Sequence, residues 1–361
     1  MPLLPDAPMK IKRTVSPGVK HVTGGLDARV FDLRPFPFSG KAIERLCGAY
    51  HIGKLECFVP ERNIRVSHSN FIVYVKTARG EFFLKFYTRE RPESFLREFA
   101  VNRFLVGRRF PVPVMLTAGR QKPFVRLPGA YAACYDWIDA RPLYDFSFNG
   151  HLLSGVADTM VGMRSLLRGF SRRHPGSCGI SEPFDQRLAA LYAALGRFGA
   201  WKQAAVLFRV LDRLKGFYHR HRSLFTPALL HANLGLSNIL MKRDRFFVVD
   251  LAHVKSDFCQ QDLASMSFSL YLFNMPLGRV KAFTRMFLGT ERDPRGQEAL
   301  WHALFLRLAV QKLEKTLDKE AKALSLRKDN ALVRSYLHHI HQRKTQLLSV
   351  IDVLGRELPS A

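Results

Sequence analysis

Leu230-His231-Ala232-Asn233-Leu234-Gly235-Leu236-Ser237-Asn238-Ile239-Leu240, followed by Phe246-Phe247-Val248-Val249-Asp250-Leu251, is the stretch on which the fold turns. A polar loop leads through a basic turn into an apolar strand that ends in an acid. Asn238 offers a carbonyl oxygen and Asp250 a carboxylate, both hard donors suited to Mg²⁺, an ion that is commonly held by one or two protein oxygens together with substrate phosphates. A carboxylate closing an apolar run needs a partner such as a metal. Asn238 alone would read as a turn residue, and it gains meaning from Asp250 beyond it.

The textures on the two sides of this stretch differ. Upstream, Gly40 to Tyr50 carries a short helical pattern, and strand-like runs follow at Glu56 to Val59, Phe71 to Lys76 and Glu81 to Tyr87. The last two are joined by Thr77-Ala78-Arg79-Gly80, whose glycine suits a hairpin. The spacing predicts a helix over Glu93 to Val106 and two further strands at Val112 to Leu116 and Tyr131 to Ile138. Beyond Asp139-Ala140-Arg141-Pro142, helical periodicity dominates at His151 to Phe170, Gln186 to Phe198, Trp201 to Arg220, Gln261 to Phe273, Gly296 to Ala323 and Ala331 to Leu354. One β-rich interruption, Leu229 to Val254, breaks it. The expected class is α+β with two lobes: a small antiparallel sheet plus one helix, then a large, mainly helical lobe. The divisions are 1–28, a flexible basic segment; 29–138, a nucleotide-binding lobe; and 139–361, a helical lobe carrying the loop at 229–254.

A chain of 361 residues that is 47% hydrophobic buries a sizeable core, which excludes a disordered protein. No run reaches the roughly 18 apolar residues of a membrane span, and the first residues lack a secretory pattern, so a cytoplasmic protein is expected. The five cysteines are scattered without a C-x-x-C pair, which suggests neither a disulfide framework nor a zinc site. Lys and Arg number 56 against 30 Asp and Glu, a formal charge of +26 that favours anionic partners: a phosphorylated ligand or an anionic membrane surface at the inner face. The basic residues are spread along the chain, which gives no firm pointer to nucleic acid. His338, His339 and His341 sit among Arg and Lys and read as a solvated helix face, and no Ser-His-Asp order supports a hydrolase.

The loop resembles the H-G-D-x-x-x-x-N motif of aminoglycoside phosphotransferases, choline kinases and their protein-kinase-like relatives, with His231, Asn233 and Asn238 at the marked positions. Val249-Asp250 is similar to the following I-D motif, and Gln261-Asp262-Leu263-Ala264 to the family's Y-D-L-A helix start. Ala49-Tyr50-His51-Ile52-Gly53 and His68-Ser69-Asn70-Phe71-Ile72-Val73 resemble segments of type II homoserine kinase. The resemblance implies Lys85 on nucleotide phosphates, Glu98 as its ion-pair partner, Asn238 and Asp250 on Mg²⁺, and Tyr135, Asp136 and Trp137 where the lobes join and an adenine ring would lodge. Lys85 and Glu98 support one another, because each would be costly to bury alone.

Two departures stand out. The phosphate-covering turn, Ile64 to Asn70, has no glycine to bring backbone amides to phosphate, which leaves Ser67, Ser69 and Asn70 as alternative contacts. The position of the catalytic aspartate holds Asn233. Since a positioned base contributes about 10² to 10⁴ in rate, three readings follow. The first is an ATP- and Mg²⁺-dependent kinase acting on a hydroxyl of a small metabolite, homoserine-like or a sugar, with His231, Asp257 or the acceptor's own groups as substitute bases. The second is a nucleotide-binding pseudokinase with a regulatory or scaffold role. The third is a kinase of lipopolysaccharide core sugars at the membrane face.

Overall fold

The computed structural model describes residues 38–60, 70–87, 92–174, 182–198, 204–289, 293–325 and 331–358. The segment 1–28, expected to be flexible and basic, lies outside the described residues.

Helix α1, Gly40–Ala49, starts where the Ser39 hydroxyl accepts from Ala42 N at 3.3 Å, a side-chain N-cap, and buries Ile43, Leu46 and Cys47. Five antiparallel strands follow: β1 Leu55–Pro60, β2 Asn70–Thr77, β3 Gly80–Tyr87, β4 Val125–Leu127 and β5 Ala130–Asp136, in spatial order β1-β2-β3-β5-β4. Side chains alternate across a strand. On β3 and β5, Leu84, Phe86, Ala132 and Cys134 therefore meet α1, while Tyr87, Ala133 and Tyr135 join Phe95 of helix α2, Pro92–Gly107, on the opposite face. Lys85 shares that second face by the same alternation, so the pleat itself turns it toward α2.

The expected strand at Val112 to Leu116 is not one; the fourth strand of the sheet is Val125–Leu127. Pro111 and Pro113 lack the amide hydrogens a ladder needs. The run nevertheless lies beside β5, with Leu116 N donating to Cys134 O at 2.8 Å and Asp136 N to Val114 O at 3.1 Å. Buried Asn102 of α2 completes it, donating to Pro113 O at 2.7 Å and accepting from Met115 N at 2.9 Å.

The helical lobe comprises α3 Gly150–Arg173, α4 Phe184–Gly196, α5 Ala204–Arg220, α6 Gln261–Leu272, α7 Leu277–Leu288, α8 Pro294–Ser325 and α9 Ala331–Glu357. Helix α7 has no counterpart among the expected elements. Its entry, Asn274-Met275-Pro276-Leu277-Gly278, reads as a loop, yet Pro just outside the first turn is a common way to begin a helix. Val280, Phe283, Phe287 and Leu288 then bury one face. Trp301 and Phe305 of α8 lie fully inside the lobe's core. Two small sheets interrupt the helices: β6 Arg141–Pro142 with β8 Ile239–Lys242 and β9 Arg245–Val248, and β7 Pro227–Leu230 with β10 Lys255–Phe258. The loop between β7 and β8 and the turn after β9 are the segments singled out by the sequence. Among the described residues no helix is long and apolar enough to cross a membrane.

Candidate active site

Lys85 lies at the centre. It is 4% exposed; its Nζ stands 2.5 Å from Asp250 Oδ1, 3.6 Å from Glu98 Oε1 and 4.7 Å from the centroid of the Tyr87 ring. Glu98, 2% exposed, also accepts from Tyr87 Oη at Oε2 and from Tyr135 Oη at Oε1, each at 2.7 Å, and the two hydroxyls are 3.0 Å apart. Burial, then the Glu98 charge, pushes both phenols well above their ordinary range. They stay protonated and donate, and hydrogen bonds to a charged partner are the stronger kind.

Asp250 follows β9 with φ +64°, left-handed backbone that Asp tolerates better than most residues. Burial works to raise its pKa, but Lys85 and then His253 pull it down to about 2. His253, in the short 3-10 turn Leu251–His253, brings Nε2 to 3.7 Å from Asp250 Oδ2. Val249 N donates to Asn238 O at 3.0 Å, which draws the end of the loop to the end of β9. The Asn238 amide nitrogen donates to Asn233 O at 2.7 Å, and among the described residues Oδ1 has only Ser237 Oγ, at 3.5 Å.

These facts test the fit of a divalent ion. Lys85 balances one of the two carboxylates, so the cluster carries a net negative charge beside an amide oxygen with little else to bind. Among the described residues no set of three or more His, Cys, Asp or Glu is placed to hold a metal. An ion here would take Asn238 and Asp250 as protein oxygens and fill its shell from phosphate and water, as Mg²⁺ does.

The loop hangs from α6. His231 N and Ala232 N donate to Asp262 Oδ2 and Oδ1 at 2.9 and 2.8 Å. Desolvation raises the Asp262 carboxyl to about 7 against the lowering effect of these two amides. The His231 ring is fully buried with Nε2 2.9 Å from Val249 O, and burial lowers its pKa to about 4. A neutral, enclosed imidazole braces the loop; it does not reach an acceptor. Asp257 is no free base either, since it is 3% exposed and paired with Arg187 at 2.8 Å. Asn233 remains exposed at the apex.

The structure brings Lys85, Glu98, Asn238 and Asp250 together, with His231 and Asn233 on the adjoining loop. The three residues expected at the lobe junction diverge. Tyr135 turns inward to Glu98 and stacks on Phe83 at 4.7 Å; Asp136 Oδ1 accepts from Val114 N; Trp137 packs edge-on against Tyr74 at 5.0 Å. Asn70 opens β2 opposite Tyr87 in register, while Ser67 and Ser69 lie outside the described residues. Sequence reasoning passed over Tyr87, although it sits two residues from Lys85 on one strand and so shares its face. It also passed over His253, one turn after Asp250, and the role of Asp262.

With this geometry in view, likeness to known proteins is informative. At the level of structure, the chain is similar to an aminoglycoside 2'-phosphotransferase in complex with GDP, with TM-score 0.61 and 13% identity, covering 86% of this chain and 99% of that one. It is also similar to an amicoumacin kinase in complex with AMP-PNP, Ca²⁺ and Ami, with TM-score 0.58, 15% identity and coverage of 86% and 94%. A choline kinase from Cryptosporidium parvum gives TM-score 0.55, 14% identity and coverage of 86% and 97%. At such identities the likeness establishes the two-lobed kinase-like fold. No curated protein sequence matches the chain. The model of the APH phosphotransferase enzyme family matches residues 62–304, which span β2 to the first third of α8 and every residue of the cluster, and the chain belongs to that family.

Proposed function

We propose that this protein is an ATP- and Mg²⁺-dependent phosphotransferase that moves the γ-phosphoryl group of ATP to an oxygen of a small acceptor. The observation that carries the reading is the buried Lys85 held between Glu98 and Asp250. A lysine fixed in this way keeps its charge and its position for phosphate, and phosphoryl transfer depends chiefly on positioning and electrostatic stabilisation. Asp250 and Asn238 would hold the ion, which neutralises charge on the phosphates when bound. Asp262 and His231 hold the loop that presents Asn233 to the acceptor.

The test is turnover of purified protein with γ-labelled Mg-ATP across amino alcohols, sugars and carboxylic acids, beside thermal shift with Mg-ATP. Transfer to any acceptor, lost in Lys85→Met, supports the reading. A thermal shift without transfer would identify a nucleotide-binding pseudokinase, a reading favoured by the uncharged, exposed Asn233. Absence of both would end the nucleotide reading altogether.

A further inference from the structure

We infer that the acceptor is a carboxylate, phosphorylated to an acyl phosphate, and not the alcohol that the resemblance implies; this rests on the phosphotransferase reading above. An alcohol must lose its proton as the new oxygen–phosphorus bond forms, and a side chain or solvent must take it. Among the described residues around the loop, the acids and the imidazole that might do so are enclosed or held in ion pairs, Asp145 alone in an exposed one. His231 has Nε2 on Val249 O and an unpaired Nδ1, but the ring is fully enclosed and open to no acceptor, and both Asp262 oxygens accept backbone amides. Asp257 is paired with Arg187, and Asp250 is held by Lys85. Asp145, on the turn that packs against Leu236–Asn238, lies 3.6 Å from Arg141 Nε. His253 stands on the metal-binding side, against Asp250.

A carboxylate is already ionised at neutral pH and makes no such demand. Its oxygen bonds to the γ-phosphorus, the bond from that phosphorus to the β,γ-bridging oxygen breaks, and ADP departs with the electron pair. No proton is released. The loop suits this chemistry. Residues 229–240 contain no Asp, Glu, Lys or Arg. The Asn233 amide donates a hydrogen bond to an anionic oxygen, where an aspartate would repel it. A phosphate acceptor would bring a second negative charge that this stretch has no Lys or Arg to meet, whereas a single carboxylate charge fits an amide donor. The formal charge of +26 draws anions to the protein as a whole.

The experiment incubates the full-length protein with γ-labelled Mg-ATP and hydroxylamine, using acetate, aspartate and glycerate against ethanolamine, homoserine and glycerol. Hydroxamate from at least one acid is expected, with no proton released per ADP at constant pH in the absence of hydroxylamine. Asn233→Asp should slow that transfer on the order of tenfold, by placing like charge beside the acceptor. A hydroxylamine-stable phosphate ester on an alcohol, or an Asn233→Asp variant that transfers faster than wild type, overturns the inference. Transfer to alcohols that His253→Gln abolishes would overturn it too, and identify the missing base. A wild type that binds Mg-ATP but phosphorylates none of the acids counts against the carboxylate alone. A wild type that shows no thermal shift with Mg-ATP removes the phosphotransferase reading and this inference with it.

Discussion

The cluster around Lys85 and the apex of the loop at Asn233 lie close together and are built on opposite plans. In the cluster, two strands, one helix and the turn after β9 converge, and Glu98 alone receives two tyrosine hydroxyls and a lysine. At the apex, the loop is secured from behind by Asp262 and His231, and the residue it presents is an exposed, uncharged amide. The cluster is fixed by many contacts in one geometry, whereas the apex residue has few. Under the proposed function, the phosphate-holding and acceptor-facing parts would be separable, so that a substitution in one region need not disable the other.

The largest effect belongs to Lys85→Met, which leaves buried Glu98 and partly buried Asp250 without the cation they share. A loss of about 3 to 5 kcal/mol in denaturant unfolding is expected, together with loss of the thermal shift by Mg-ATP. A small effect would mean that the cluster is no more constrained than the apex.

Next comes acid sensitivity. His231 has a folded pKa of about 4 against an ordinary 6.5, so the unfolded chain binds the extra proton between these values. Stability from the neutral imidazole is fully present above pH 6.5 and lost as pH falls toward 4, by about 3 kcal/mol. Because Asp262, near 7 when folded, acts with the opposite sign over the same window, the quantity to measure is the stability difference between wild type and His231→Gln, which should fall by about 3 kcal/mol as pH drops from 6.5 to 4.

Tyr87→Phe and Tyr135→Phe each remove a hydrogen bond to a carboxylate, at about 1.5 to 3 kcal/mol. Because the hydroxyls also contact each other, the double variant should lose less than the sum. KM for ATP should rise more than kcat falls, since the phenols position Glu98 and touch no acceptor. The smallest effect concerns Ala232, whose φ of +62° is costly for any residue with a Cβ. Ala232→Gly should stabilise the protein by about 0.5 to 1 kcal/mol in thermal unfolding, without altering nucleotide binding.

The two-lobed fold was legible in the sequence because its signals are local. Alternation marked β2, β3 and β5, helical periodicity marked the long helices, and the loop and the end of β9 could be read from single residues. What escaped notice depends on partners far apart in the chain. Tyr135 lies 37 residues from Glu98, and no local pattern says whether its ring turns toward a nucleotide or toward that carboxylate. The strand expected at Val112 to Leu116 failed for the opposite reason: its apolar pattern is strand-like, but Pro113 within the run and Pro111 just before it remove donors that pattern presumes. Helix α7 was hidden by a Pro-Gly entry that reads as a loop until Val280 and Phe283 are seen to be buried.

Asn102 has a mechanical meaning. It stands one helical turn after Glu98, and its amide holds both Pro113 and Met115 in the segment that runs beside β5 toward the junction of the lobes. A single helix thus grips the lysine's partner with one residue and the approach to the junction with the next residue on the same face. Any tilt of α2 that draws Glu98 from Lys85 must also pull on that approach. The Lys85–Glu98 pair and the segment approaching the lobe junction are therefore held by one rigid helix face, so that a displacement of α2 would be felt at both.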